Sequence, residues 1–316
     1  MRTYELAGTN LVVSRIAQGC MRLSERRSEA IATIRAALDQ GINLFDHADI
    51  YGRGRAEEAF AAIWQEAPGL RDRIILQSKC GIRLAGDPDA SAPKRYDFSY
   101  EHIVRSVEGS LRRLRTDHLD ILLLHRPDPL VEPEEVARAF DHLEESGKVR
   151  YFGVSNHNAA QIELLQAYLS QPLVINQLEL NVLHTHLIEG GIVSNQDEPP
   201  RVTRGDGTLE YCRLHSIRVQ SWAPMARGIV SGRVVEGMDP RVARTAEAVA
   251  ALAAARGVNP TAVVIAWLLR HPAGIQPIIG TTQPARIKAA CEADRIELSR
   301  EEWYRLFIAG RGAELP

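Results

Sequence analysis

Polar side chains close a series of apolar runs, and four of them form a coherent proton-transfer set. FDHADIYG ends one run at Asp46 and brings Tyr51 after it. RIILQSK ends in Lys79, and LDILLLH ends in His125. Unperturbed tyrosine titrates near ~10, lysine near ~10.4 and aspartate near ~3.9. An ammonium beside a phenol favours phenolate and lowers the tyrosine pKa. A carboxylate beside that ammonium keeps it charged and in place. An imidazole beside the phenol can orient a carbonyl or share its proton. Tyr51 is then expected to act as a general acid toward a carbonyl oxygen. None of these groups carries a hydride, so a cofactor must supply one. Taken singly, each residue has an ordinary explanation. Lys79 fits a solvated rim, His125 a packing position, Asp46 a loop cap and Tyr51 a surface ring. Their arrival at successive strand ends is what argues for joint action.

The elements that must position them alternate. Residues 16–21, 42–48, 73–79, 119–125, 149–155, 173–181, 217–223 and 276–280 read as strands. Helical spacing follows each, over 28–41, 56–66, 100–115, 132–145, 159–169, 208–215, 242–256 with 260–270, and 284–292. Ser28 suits the start of the first helix and Gly41 its stop. LDILLL is continuously apolar, as a parallel strand buried on both faces should be. YELAGTNLVVSRI reads as an extra hairpin turning at Gly8, Thr9 and Asn10. A polar stretch over 190–207 reads as an exposed loop. A last helix is expected near 300–308.

Eight β-then-α units in 316 residues predict an α/β chain folded as one (β/α)8 TIM barrel over 1–316, with an N-terminal hairpin and an extra C-terminal helix. The rival is an open doubly wound sheet, which usually shows a glycine-rich dinucleotide turn after an early strand. GRGRAE, from Gly52, lacks the third glycine and does not directly follow a strand. Barrel chemistry sits at the C-terminal ends of the strands, where the four residues fall.

Composition narrows the function classes. Lys plus Arg is 38 and Asp plus Glu is 40, a net charge of −2. That balance argues against nucleic acid or an anionic membrane as partner. The longest apolar runs, such as AVVIAWLL, fall far short of the about twenty residues of a membrane span. MRTYELAGTN has no apolar signal core, so a cytoplasmic protein is expected. The four cysteines form no CxxC pair, and Cys20 and Cys80 are expected as small buried residues rather than a redox switch. His184 and His186 form HTH with no neighbouring carboxylate before Glu189. A solvated loop is expected there, and no metal site.

The motifs FDHADIYG, ILQSKCG, LDILLLHRPD, VRYFGVSN, INQLELN, QSWAPMARG and PIIGTTQPARI run in order through almost the whole chain. Their succession resembles the aldo-keto reductases, NADPH-dependent (β/α)8-barrel enzymes, and leans toward the bacterial ydhF-like branch. The resemblance makes Asp46, Tyr51, Lys79 and His125 the family tetrad, with Tyr51 as proton donor. It implies hydride transfer from a nicotinamide ring to a carbonyl carbon. It assigns Ser155, Asn156 and Gln177 to the nicotinamide carboxamide, whose mixed donors and acceptors these side chains can match. Trp222 stands where the family often has Tyr, and a flat aromatic there would stack on the ring. Ala223, Pro224, Met225, Arg227 and Gly228 follow it, with Met225, Arg227 and Gly228 expected to line the pyrophosphate passage. Gly19, Cys20 and Met21 are expected to border the nicotinamide.

The same resemblance places Gly280, Thr281, Thr282 and Arg286 at the cofactor's phosphates. A helix start favours anions, and Arg286 could grip a 2′-phosphate bidentately. Many members carry lysine where this chain has Gly280, so one phosphate contact is missing. NADPH remains the expected cofactor, ahead of NADH. The expected partner is a small-molecule aldehyde or ketone. Its identity and the oligomeric state are not written in these residues. Specificity would come from the barrel-top segments 23–27, 81–96 and 190–207. Arg83, Lys94, Arg95, Arg201 and Arg204 there would favour acidic substrates. Two other functions fit parts of the pattern: a Schiff-base lyase using Lys79 as nucleophile, and a reductase-like regulatory or binding subunit. The intact tetrad argues for retained chemistry.

Overall fold

The computed structural model describes residues 1–193, 207–230 and 237–316. The chain opens with an antiparallel hairpin of β1 (Thr3–Glu5) and β2 (Val12–Ser14). Then follow β3 (Ala17–Gly19), α1 (Arg27–Asp39), β4 (Leu44–Asp46), α2 (Arg55–Phe60), α3 (Ile63–Glu66) and β5 (Ile75–Cys80). A second small hairpin, β6 (Ile82–Arg83) with β7 (Arg95–Tyr96), leads to α4 (Tyr100–Leu114). The middle of the chain runs β8 (Leu119–Leu124), α5 (Pro133–Glu145), β9 (Val149–Ser155), α6 (Ala159–Gln166), β10 (Leu173–Glu179) and α7 (His186–Ile192). It ends with α8 (Thr208–Leu214), β11 (Arg218–Trp222), α9 (Pro240–Arg256), α10 (Pro260–Leu269), β12 (Gln276–Ile279), α11 (Pro284–Cys291) and α12 (Arg300–Arg311).

Strands β3, β4, β5, β8, β9, β10, β11 and β12 close into a barrel in that order. Every neighbour pair is parallel, and the seam joins β12 to β3 through Ile278–Ala17 and Ile279–Gln18. This is the expected (β/α)8 barrel. The period of two sends alternate side chains inward. The lower interior is apolar: Ala17, Leu44, Ile75, Ile121, Leu123, Ile175 and Ile278 form one buried cluster. Leu6, Leu11 and Val13 of the first hairpin join that cluster and plug the N-terminal end. The upper interior is polar, with Asp46, Gln77, Lys79, Gln177 and Gln220 all buried. Gly153 faces inward because nothing larger fits: a Cβ there would lie 2.7 Å from both Ile175 O and Leu123 Cδ2.

Helix patterns carry the outer shell. α4 buries Ile103, Val107, Leu111 and Leu114, and the Ser99 side chain caps it by accepting from His102 N. α10 buries every residue from Ala262 to Leu269, which explains why AVVIAWLL lacks a polar face. Trp267 of α10 stacks on Trp303 of α12, with centroids 5.2 Å apart. Each indole N–H donates to the other residue's carbonyl, at 3.2 and 3.0 Å. Among the described residues no single helix is long and apolar enough to cross a membrane.

Several boundaries differ from expectation. α1 begins at Arg27, so Ser28 lies inside its first turn. Ser24 organises that turn instead, accepting from Arg26 N and donating to Glu29. The helix expected over 56–66 is two pieces, α2 and α3. Trp64 ties the second piece to α4 through its N–H to Leu114 O at 2.7 Å. The loop expected over 190–207 starts later, because α7 runs to Ile192. Residues 194–206 of that loop lie outside the described residues. The last helix reaches Arg311.

Gly310 lets α12 dock closely. A Cβ on Gly310 would overlap the Val182 carbonyl, and backbone cannot yield as a flexible side chain does. Gly310→Ala should lower the urea midpoint, since overpacking costs about 1–3 kcal/mol or more. An unchanged midpoint would show that α12 does not seat on Val182.

Candidate active site

The ends of β4 and β5 bring Asp46 and Lys79 together. The Lys79 ammonium donates to Asp46 Oδ2 at 2.8 Å, His47 O at 2.7 Å and Tyr51 Oη at 3.1 Å. Those three acceptors use all three of its protons, and Lys79 is only 1% exposed. Tyr51 heads a 3-10 turn, Tyr51–Gly54, bent by left-handed Gly52 and Arg53. His125 lies just beyond β8, with its backbone N–H on Cys80 O at 2.9 Å. Its ring stands edge-on to Tyr51, centroids 5.9 Å apart. The structure therefore assembles all four residues read from the strand ends.

Beside them lies the group expected at the cofactor. Ser155 Oγ donates to Gln177 O at 2.9 Å. Asn156 is left-handed, with φ 62°, and its Nδ2 donates to Ser155 Oγ at 2.7 Å. Trp222 Nε1 donates to Asn156 Oδ1 at 3.1 Å, and the Arg126 guanidinium lies over the Trp222 ring at 5.5 Å. Gln177 turns its nitrogen inward, to Asp46 Oδ1 and Gln220 Oε1, both at 3.0 Å. The following turn is unusual: Ala223, Ala226 and Arg227 all have positive φ, as does Gly228. Such left-handed backbone clusters at functional sites. Asn181 Nδ2 holds it through Ala223 O at 3.0 Å, while Pro224 is buried and Met225 half-buried.

The β12 end carries the remaining group. Thr33 Oγ1 donates to Thr282 O at 2.9 Å, and Gln18 Nε2 to Thr281 O at 3.1 Å. Thr281 Oγ1 accepts from Gln283 N at 3.3 Å, just ahead of α11. Gly280 and Arg286 are exposed, and a Cβ on Gly280 would meet open space. Packing therefore does not demand glycine at 280. Gly19 is tighter: a Cβ there would lie 3.0 Å from Ile278 Cγ2 and 3.3 Å from Ile279 O. Met21 is exposed, and Cys20 is buried.

The aldo/keto reductase family model matches residues 15–309. The 6-dehydroglucose reductase of Agrobacterium fabrum is 38% identical over 310 residues, 96% of this chain and 97% of that protein. The oxidoreductase YdhF of Escherichia coli is 37% identical over 307 residues, covering 96% and 95%. This chain belongs to the aldo/keto reductase family. The likeness to YdhF agrees with the branch its motifs suggested. The fold matches the solved glycerol dehydrogenase AKR11B4 of Gluconobacter oxydans with a TM-score of 0.81, at 24% identity, over 97% of this chain and 94% of that one. The family is one of oxidoreductases that generally use nicotinamide cofactors.

Charges in the site of this aldo/keto reductase are set by burial and neighbours. Burial would push the Lys79 amine down, but Asp46 and Tyr51 outweigh it and its pKa is raised. A Schiff-base lysine needs the opposite, a readily deprotonated amine, which counts against the lyase alternative. Withdrawal from water raises the Tyr51 phenol above its usual 10.0, and Lys79 only partly pulls it back. This corrects the expectation of a lowered tyrosine: here desolvation outweighs the ammonium. The phenol is therefore protonated at neutral pH. Burial, with Lys79, Arg126 and Lys94 adding repulsion, takes His125 well below its ordinary value. Its imidazole is neutral. Burial raises the Cys20 and Cys80 thiols well above theirs, which removes the thiolate a redox switch needs.

The structure also assigns loop charges. Arg83 pairs with Asp87 and Asp97, and Arg95 donates to Asp87 O and Pro93 O. Both brace their own loop rather than await an acidic substrate. Arg201 and Arg204 lie outside the described residues. Sequence reading missed Gln77, Gln220 and Gln276, buried two positions or more before the strand ends it inspected. It missed Glu57 as well, fully buried with Ser78 Oγ at 2.7 Å and Arg113 Nε at 2.8 Å. Glutamines recurring within apolar strands at inward positions were the available signal.

Neutral buried histidines give this fold an acid limb. Burial takes His47 down from 6.5 to about 3, with Lys79 contributing. Burial takes His157 to about 4, and His271 to about 4 with help from Arg213 and Arg270. Below pH ~6.5 the unfolded chain binds these protons before the folded one, so stability falls as pH drops toward the folded values. His47→Leu should flatten that limb: its urea midpoint should gain on wild type between pH 6.5 and 4. Parallel curves would mean that His47 is not held neutral.

Proposed function

We propose that this enzyme reduces an aldehyde or ketone to an alcohol with NADPH, Tyr51 acting as general acid. The observation that carries the reading is the Lys79 bridge between Asp46 and Tyr51 Oη. The donor set suits the cofactor. Ser155, Asn156 and Gln177 would hold the carboxamide, and Trp222 would pack on the ring. The left-handed turn at Ala223, Ala226 and Arg227 would present backbone to the pyrophosphate, and Gly19, Cys20 and Met21 would border the ring. Thr281, Thr282, Arg286 and the start of α11 suit phosphate charge. When bound, the nicotinamide supplies the hydride that reaches the carbonyl carbon.

The chain's own residues handle the proton. Tyr51 Oη donates its proton to the carbonyl oxygen. The phenolate left behind sits 3.1 Å from the Lys79 ammonium, which Asp46 keeps charged. Neutral His125 can offer an N–H to the same oxygen. The polarity of the set matches reduction, because the acid is protonated before substrate arrives. Two observations support a substrate class. One relative of full length is named a 6-dehydroglucose reductase, and Arg126 and Trp222 put polar and flat groups at the mouth. A polyhydroxylated aldehyde of the dehydrosugar kind is the first compound to test. The near-neutral charge argues for a small-molecule substrate, without nucleic acid or anionic membrane as partner.

Tyr51→Phe should keep NADPH binding and lose about 10²–10⁴-fold in turnover. Turnover close to wild type, with chemistry limiting, sinks the assignment. Because burial raises the phenol from its ordinary value, carbonyl reduction should be level through neutral pH. Oxidation of the product alcohol, which needs the phenolate, should climb in alkali. Oxidation already level through neutral pH, with reduction falling as pH rises, would mean that Tyr51 is already ionised.

Cofactor choice is tested at β12 and α11. Arg286→Ala should weaken NADPH by roughly tenfold to a hundredfold and NADH hardly at all. Gly280→Lys, where a side chain has open space, should shift preference further toward NADPH. Equal changes for both cofactors would make this helix start structural only.

A further inference from the structure

A chain of buried amides crosses the barrel beneath the tetrad. It joins Gln77 on β5, Gln177 on β10, Gln220 on β11 and Gln276 on β12, none more than 3% exposed. Gln276 Nε2 donates to Ser14 O at 2.6 Å. Gln220 Nε2 donates to Gln276 Oε1 at 2.8 Å and to Gln77 Oε1 at 3.1 Å. Gln220 Oε1 accepts from Gln77 Nε2 at 2.9 Å and Gln177 Nε2 at 3.0 Å. The same two nitrogens donate to Asp46 Oδ1, at 2.5 and 3.0 Å.

Both ends of this chain can only accept. Ser14 O is a backbone carbonyl. Asp46 is a carboxylate paired with the Lys79 ammonium at 2.8 Å. A primary amide has a donor end and an acceptor end of nearly equal size, so its partners decide which way it faces. Ser14 draws the Gln276 nitrogen and leaves the Gln276 oxygen for Gln220. Gln220 answers with its nitrogen and presents its oxygen to Gln77 and Gln177. Both hydrogens of Gln177 Nε2 are then taken inside the barrel. Its oxygen is what it has to offer a ligand.

We propose that Gln220 and Gln276 are positioning residues, which together with the Asp46 carboxylate fix Gln177 as an acceptor for the NH₂ of the nicotinamide carboxamide. The proposal rests on the cofactor reading above and deepens it. A carboxamide turned the other way would set oxygen against oxygen. The buried chain, held by acceptors at both ends, thus selects one orientation of the ring. Neither Gln220 nor Gln276 needs to touch cofactor to do so.

The test compares Kd for NADP⁺ and its 3-acetylpyridine analogue, which carries a methyl in place of the NH₂. Binding is followed by tryptophan fluorescence in wild type, Gln220→Met and Gln276→Met, with folding checked by circular dichroism. Wild type should bind the analogue roughly tenfold more weakly. In the methionine variants that preference should shrink below roughly threefold, while preference for NADP⁺ over NAD⁺ stays. No preference in wild type removes the Gln177 contact itself, and the cofactor reading there fails with the proposal. Full preference retained in the variants overturns the positioning role alone. Joint loss of both preferences also overturns it, because the effect is then general loosening. If Gln220→Met does not fold, Gln276→Met, one bond further from the site, decides the outcome.

Discussion

The Lys79 ammonium sits at the barrel mouth out of contact with water, and most of the upper barrel is arranged around that charge. An isolated buried charge is expensive, and a buried pair is tolerated only with good geometry and full hydrogen bonding. Lys79 has both: a carboxylate, a backbone carbonyl and a phenol, one for each proton. Asp46 in turn takes two amide N–H groups besides the ammonium. Losing any one of these partners leaves the others uncompensated in a low dielectric. The site is therefore rigid by electrostatic necessity, and its rigidity is inherited from strands that cannot move independently.

The barrel interior separates this polar layer from an apolar one below it. The N-terminal hairpin closes the floor with Leu6, Leu11 and Val13, which frees the upper strand positions from having to fill space with hydrocarbon. Glutamine takes those positions. It is long enough to reach across the lumen and brings both a donor and an acceptor. The result is an uncharged polar network that supports a charged pair without adding charge of its own.

The barrel was legible in the sequence because parallel strands buried on both faces leave unmistakable runs, such as LDILLL before His125, each followed by helical spacing. The tetrad was legible because each member closes such a run. Electrostatic balance was not legible: residue types said that Lys79 lowers a neighbouring phenol, while the depth of Tyr51 reverses the net direction. The amide chain was hidden for a different reason. Gln77, Gln220 and Gln276 are far apart in sequence, and only closure of the barrel makes them neighbours. Likewise Arg83 looked available for substrate until Asp87 and Asp97 came into reach of it.

The seam between β12 and β3 has a consequence for how the chain comes into being. β3 is made well before its partner, since Gln18 and Ile279 lie 261 residues apart. Until Ile279 has emerged, one edge of β3 lacks its strand, and an unpaired edge invites pairing with other chains. Outside the seam, Arg2 and Arg15 pair with Asp294, contacts that also wait for late residues. The barrel can close only once β12 has emerged to meet β3.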